Sequence, residues 1–289
     1  MGETSASRAG GLTDNLRIVR EGDTIVGDLR VAYLEDGPED GPLALCLHGF
    51  PDTAWTWRHL LPALAGAGFR AVAPWLRGYA PTGVPADGRF GTAALAEDAN
   101  GLHEALGGDG RAVVIGHDWG ASAAYGAVTT GPERWSRIVT LAVPRPSTLA
   151  AGFLTYDQLR RSWYIFFFQT WMADVAVPAD DLRFIERLWA DWSPGYDASE
   201  DLVRVKQALG TPENLAAALG CYRAMFDPAQ PGAPDGPFDQ PWLYLHGADD
   251  GCLGIELVPD DAVVVKGAGH FLQLEQPDEV NRHILEFLR

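Results

Sequence analysis

Gly116-His117-Asp118-Trp119-Gly120 closes an apolar run, "RAVVI", and opens a stretch rich in small residues, "ASAAYGAV". This is the spacing of a sharp strand-to-helix turn that lifts a nucleophile out of a sheet. Here the residue at the tip is a carboxylate. A hydroxyl in that position attacks acyl carbon. A carboxylate is a poor acyl nucleophile, because the anhydride it would form is itself reactive, but it displaces a leaving group well at saturated carbon. The product is an alkyl ester on Asp118. The competing reading is an aspartate that serves only as a helix N-cap.

An alkyl ester must then be hydrolysed, which calls for a base and for donors to the tetrahedral oxyanion. His270, in "GAGHFLQLEQP", lies in a glycine-containing loop after "AVVVK" and before the last helix. His59, His103, His117, His246 and His283 lack such a loop and read as structural or exposed. Asp249 and Asp250, after the strand "LYLHG", are both placed to orient the imidazole. "HGFP", His48 to Pro51, follows another apolar run. Its turn aims the Phe50 N–H at the site, where the Trp119 N–H would join it as an oxyanion hole. His48 itself reads as a structural hydrogen bonder. The chain order of nucleophile, acid and histidine completes the pattern.

Such residues need a framework. "LRVAYLEDG", "PLALCLHGF", "FRAVAPWL", "RAVVIGH" and "SRIVTLAVP" are apolar β-like runs that alternate with helical stretches around Trp57–Ala67 and Thr92–Leu106. That alternation predicts a mostly parallel sheet covered on both faces. From about Arg145 to Gly236 there are only helix signals. Thr155 and Gln158 open "YDQLRRSWYIFFFQTW" with capping-box spacing. Leu182, Ile185, Leu188, Trp189 and Trp192 share a helical face, and Thr211-Pro212 opens "ENLAAALGCYRAMF". The loop "DPAQPGAPDGP" ends the segment. The reading is a mobile tail over 1–15, an α/β core over 16–144 and 237–289, and a helical cap over 145–236. Of the cap aromatics, Trp163, Phe167, Trp171 and Trp189 are expected to line an apolar substrate pocket.

A formal net charge of −17 over 289 residues argues against a nucleic-acid partner. The three cysteines, Cys46, Cys221 and Cys252, have no metal-ligand spacing and read as buried apolar side chains. No apolar run approaches a membrane span and the N-terminus lacks a signal-peptide core, so a cytoplasmic protein is expected. No cofactor or metal is expected. The sequence does not fix the oligomeric state, a homodimer included.

With these residues in place, the chain resembles the α/β-hydrolase superfamily from about Leu29 to Arg289. "HGFP" with "GHDWG" is similar to the epoxide hydrolases. The resemblance implies an eight-stranded, mostly parallel sheet flanked by helices with an inserted helical cap. It also implies an acid three residues after Gly247, which selects Asp250, and two cap tyrosines that protonate the epoxide oxygen. Tyr164, in "WYIFFFQ", matches the family's Tyr-x-x-x-Phe-Gln, and Tyr222, in "CYRAMF", matches its Tyr-Arg helix. Tyr156 is the nearest competitor to Tyr164. The implied partners are a small-molecule epoxide and water. The sequence departs from the family at "PWLRGYAPTG", where Trp75 replaces an Asp and Ala80 a Gly. Haloalkane dehalogenases share "DWG" but carry Asn in place of Phe50. Fluoroacetate dehalogenases share "HGFP" but carry Arg in place of Trp119. The alternatives to an epoxide hydrolase are a dehalogenase with the same nucleophile and a ligand-binding protein of low turnover.

Overall fold

The computed structural model describes residues 19–289; the expected tail over 1–15 lies outside them. Eight strands form one sheet: β1 Arg20–Val26, β2 Leu29–Asp36, β3 Leu43–Leu47, β4 Arg70–Pro74, β5 Ala112–His117, β6 Trp135–Leu141, β7 Trp242–Gly247 and β8 Val263–Val265. Their order is β1-β2-β4-β3-β5-β6-β7-β8. β1 and β2 pair antiparallel, as do β2 and β4, and every later pair is parallel. β3 and β5 are buried along their whole length, as central strands covered on both faces must be. β1 was not anticipated. It is an edge strand with alternately exposed residues such as Glu21 and Asp23, so it lacks the apolar run that marks its neighbours.

The helices are α1 Leu60–Gly66, α2 Thr92–Ala105, α3 Trp119–Thr130, α4 Pro146–Gly152, α5 Tyr156–Arg161, α6 Trp163–Phe167, α7 Ala173–Ala176, α8 Ala179–Trp192, α9 Ser199–Leu209, α10 Pro212–Ala224, α11 Leu272–Glu275 and α12 Pro277–Leu288. α4 to α10 are inserted between β6 and β7. The helix expected around Trp57–Ala67 is α1, preceded by a 3-10 turn, Ala54–Trp57. Thr155 and Thr211 cap α5 and α10 by accepting from the Gln158 and Asn214 N–H groups. "YDQLRRSWYIFFFQTW" is broken at Ser162 into α5 and α6. The apolar stripe of α8 is buried as its periodicity requires.

The insert is tied to the core by specific bonds. Trp189 Nε1 donates to the Pro51 carbonyl, Asn214 Nδ2 to the Gly78 carbonyl, and Arg58 pairs with Asp201 at 2.6 Å. Among the described residues no helix is long and apolar enough to cross a membrane.

Candidate active site

The end of β5 turns straight into α3, with Asp118 between them at φ 53° and ψ −119°. A non-glycine residue holds such a conformation only where its surroundings enforce it, at a cost of about 1–3 kcal/mol. The turn is tight enough that a methyl on Gly116 would lie 2.1 Å from the Gly120 carbonyl oxygen. Asp118 occupies the N-cap position of α3, yet its side chain makes no capping bond. Its Oδ1 instead accepts the Phe50 N–H at 2.7 Å. A methyl on Gly49 would come within 2.3 Å of that same oxygen. The carboxylate is therefore turned away from its helix and into a pocket beyond the end of β3. The second expected donor, the Trp119 N–H, makes no bond to this carboxylate.

The base loop follows β8. His270 is fully buried; its Nδ1 lies 3.0 Å from Asp250 Oδ2 and its Nε2 3.7 Å from Asp118 Oδ2. Asp249 makes no such contact, so the geometry selects Asp250 of the two. Asp250 Oδ1 is held by the N–H groups of Cys252 and Leu253. Burial opposes protonation of His270, but the carboxylates of Asp250 and Asp118 outweigh it and push the imidazole up to about 10. Burial would by itself raise the Asp250 carboxyl; its bond to His270 holds it below the ordinary value.

Two structural histidines complete the surroundings. His48 Nε2 accepts the Leu76 N–H, which leaves Nδ1–H to donate to the Gly49 carbonyl. Burial pushes it down to about 4. His117 Nε2 donates to the His270 carbonyl, and burial pushes His117 down to about 3. Both rings are neutral hydrogen-bonding struts. His117 and His246 lie against the Asp250–His270 pair without joining it.

Sequence reasoning missed the clamp on the base loop. Glu275 accepts the Gly269 N–H on Oε2 and the Ser193 hydroxyl on Oε1, and Ser193 Oγ accepts the Phe271 N–H. The carbonyl of Trp192, free of helical bonding at the end of α8, accepts both the Gly251 and the His270 N–H. Nothing in the pattern of "HFLQLEQP" separates Glu275 from an ordinary surface glutamate.

Tyr164 on α6 and Tyr222 on α10 are both buried, whereas Tyr156 is 76% exposed. The two rings meet edge to face at 5.6 Å, and Tyr222 also lies edge-on to Phe50 and Trp119. Gln169 Nε2 donates to the Tyr222 carbonyl and Arg223 Nε to the Phe168 carbonyl, so the residues beside each tyrosine lock the two helices together. The Tyr164 hydroxyl lies 3.3 Å from Cys252 Sγ. The Tyr222 hydroxyl has no well-formed hydrogen-bond partner among the described residues, and the Trp119 side chain is the donor beside it. Burial raises both phenols well above their ordinary value, so they remain O–H donors at neutral pH.

Asp118, Trp119, Tyr164, Tyr222 and Cys252 line one cavity of about 560 Å³. The four expected pocket aromatics do not line it. Trp163 and Trp171 are 44% and 74% exposed. Phe167 stacks on Phe184, and Trp189 is buried flat against Phe271 with centroids 3.5 Å apart. Helical spacing marked Trp189 correctly as buried, but the side it buries is the core and not the cavity. The walls come instead from Leu149, Phe153 and Ile165 and from the loop after α10. All three cysteines are free and buried.

The sequence matches the family described as alpha/beta hydrolase fold over residues 42–277. It is 30% identical to Epoxide hydrolase A of Mycobacterium tuberculosis, over 90% of this chain and 94% of that protein. It is also 30% identical to Epoxide hydrolase 1 of Caenorhabditis elegans, over 90% of this chain and 68% of the relative. Among solved structures, Epoxide Hydrolase A from Mycobacterium thermoresistibile aligns with a TM-score of 0.77 at 27% identity, covering 94% of this chain and 98% of that one. A Bacillus megaterium epoxide hydrolase shares the fold with a TM-score of 0.79 at 24% identity, covering 92% and 99%. By sequence and by fold alike, the chain belongs to the α/β-hydrolase fold and, within it, to the epoxide hydrolase family.

Proposed function

We propose that this protein hydrolyses an epoxide to a vicinal diol, without a cofactor, through a covalent ester on Asp118. The observation that carries the reading is the cavity itself: a carboxylate and two buried phenol hydroxyls share it, and one of those hydroxyls, on Tyr222, donates its proton to no group among the described residues. An alkoxide leaves far better with a proton supplied to it, which a phenol provides and a halide would not need. That favours epoxide opening over dehalogenation.

In the first step Asp118 Oδ2 attacks an oxirane carbon. The carbon–oxygen bond breaks and the ring oxygen takes a proton from Tyr164 or Tyr222, leaving an ester and a tyrosinate. Oδ1, already at the Phe50 N–H, becomes the ester carbonyl oxygen. In the second step His270 takes a proton from water, and the hydroxide adds to the ester carbonyl carbon. The oxyanion is stabilised by the Phe50 and Trp119 N–H groups. Collapse releases the diol alkoxide and leaves Asp118 as a carboxylic acid. The alkoxide takes the water-derived proton from His270, and the tyrosinate is reprotonated by the proton that His270 held before esterification. The Asp118 proton passes to His270 to restore the resting pair. Asp118 and Asp250 together hold a proton on His270. Esterification removes the charge of Asp118 and with it part of that hold, so the base becomes available when there is an ester to hydrolyse.

A single turnover in heavy-oxygen water tests this route. The first diol is expected to carry an oxygen from Asp118, with label entering the protein. Label in the first diol would overturn the covalent route.

A further inference from the structure

The cavity beside Asp118 is longer than an oxirane requires. Asp118, Ser122 and Gly126 all line it. Asp118 precedes α3, and Ser122 and Gly126 follow it at four-residue intervals on one face of the helix, so the cavity runs beside the first two turns of α3, about 12 Å. The opposite wall is the proline-rich loop after α10, with Phe226, Pro228, Pro231 and Pro234. This loop is anchored: the Phe90 N–H donates to Gln230 Oε1, and the Ala233 N–H to Thr92 Oγ1. It closes onto α3 at Gly126, where a methyl would come 2.6 Å from Ala233 Cβ.

The charge of the lining is one-sided. No Lys, Arg or His lines the cavity; its only formal charges are the carboxylates of Asp118 and, in the loop, Asp227. The arginines nearest in sequence to lining residues are committed elsewhere. Arg145 bonds to Asp235 and the Gly236 carbonyl, Arg161 to Glu256, and Arg223 to Asp174 and the Phe168 carbonyl. A ligand carboxylate brought into this space would gain no counter-charge and meet the charge of Asp227, whose carboxylate oxygens accept, among the described residues, only from the Ala229 N–H and Gln230 Nε2 of its own loop.

We infer that the cavity selects uncharged epoxides with an apolar tail of about eight carbons, roughly the 12 Å that α3 offers, and rejects those whose tail ends in a carboxylate. The inference rests on the reading of Asp118 as an epoxide-opening nucleophile. Asp227 is its specificity-determining residue.

The test uses the whole protein and terminal epoxyalkanes of increasing length, with ω-carboxylate and ω-ammonium analogues of one long member. kcat/KM is expected to rise about threefold per methylene until the cavity is filled. The carboxylate analogue should fall at least about tenfold below its neutral parent, and the ammonium analogue should not. Asp227→Asn should narrow the carboxylate penalty and Asp227→Lys narrow it further. A flat dependence on chain length, or a carboxylate analogue as good as the neutral one, overturns the inference. Mass spectrometry of a His270→Ala variant with each of these epoxides separates the two claims. An ester on Asp118 with no length or charge preference overturns only the tail specificity; no ester with any epoxide overturns the nucleophile as well.

Discussion

At the scale of single residues, the chemistry depends on how the Asp118 carboxylate is held. Asp118→Asn keeps the shape but removes the nucleophile, so turnover should fall by about 10⁴-fold, as read by initial rates. Gly49→Ala places a methyl against Oδ1 and should also abolish ester formation, while circular dichroism shows the fold retained. His270 gives a pH prediction whose sign can be worked out. Its folded value is raised to about 10 against an ordinary 6.5. Its contribution to stability is therefore complete below about 6.5 and is lost as pH rises through about 10. Urea midpoints of the wild type should fall across that window, and those of His270→Gln should fall less. Asp250 behaves oppositely: its carboxyl is held low, so its contribution is lost as pH falls through its folded value.

At the scale of elements, the site is made by where β5, β7 and β8 end and by what grips the loops beyond them. Glu275 and Ser193 grip the base loop from two sides. Glu275→Gln should lower kcat about tenfold with KM nearly unchanged, and Ser193→Ala should shift kcat in the same direction. A purely structural role would lower the melting temperature and leave the kcat of the folded fraction intact. α12 is held by Val280, Ile284 and Leu288 on one face. Ile284→Ala should cost about 3 kcal/mol by denaturant titration and leave kcat alone. The elements were legible in the sequence wherever burial is two-sided. β3, β5 and β6 announce themselves by continuous apolar runs, whereas β1, half exposed at an edge, does not. The elbow, the acid loop and the base loop were legible because each is a strand end with the right residue type. The cavity walls were not. Periodicity says that Trp189 is buried but not which of two buried sides it faces, and the loop after α10 has no periodicity at all.

At the scale of the whole molecule, the insert and the core share a set of buried bonds. Arg58 and Asp201 link them, with side chains 18% and 3% exposed. Arg58→Ala strands a buried carboxylate and should destabilise by about 3 kcal/mol. Adding Asp201→Asn should recover part of that loss, because the stranded charge is what costs most. Asp250 and His270 sit at opposite ends of a further tie, the Trp192 carbonyl, which receives one N–H from each of their loops.

That shared carbonyl bears on how such a protein can be remodelled. The helical insert looks like a module that could be exchanged for another to change substrate range. Its α8, however, ends in a carbonyl that binds the acid loop and the base loop together. A graft that replaced the insert through Trp192 and Ser193 would bring in a new pocket and disarrange the hydrolytic machinery at the same stroke. A chimera with its junctions drawn inside the insert, retaining α8 through Ser193 from this chain and taking only the loop after α10 from a donor, would alter the cavity wall and keep the two loops in register.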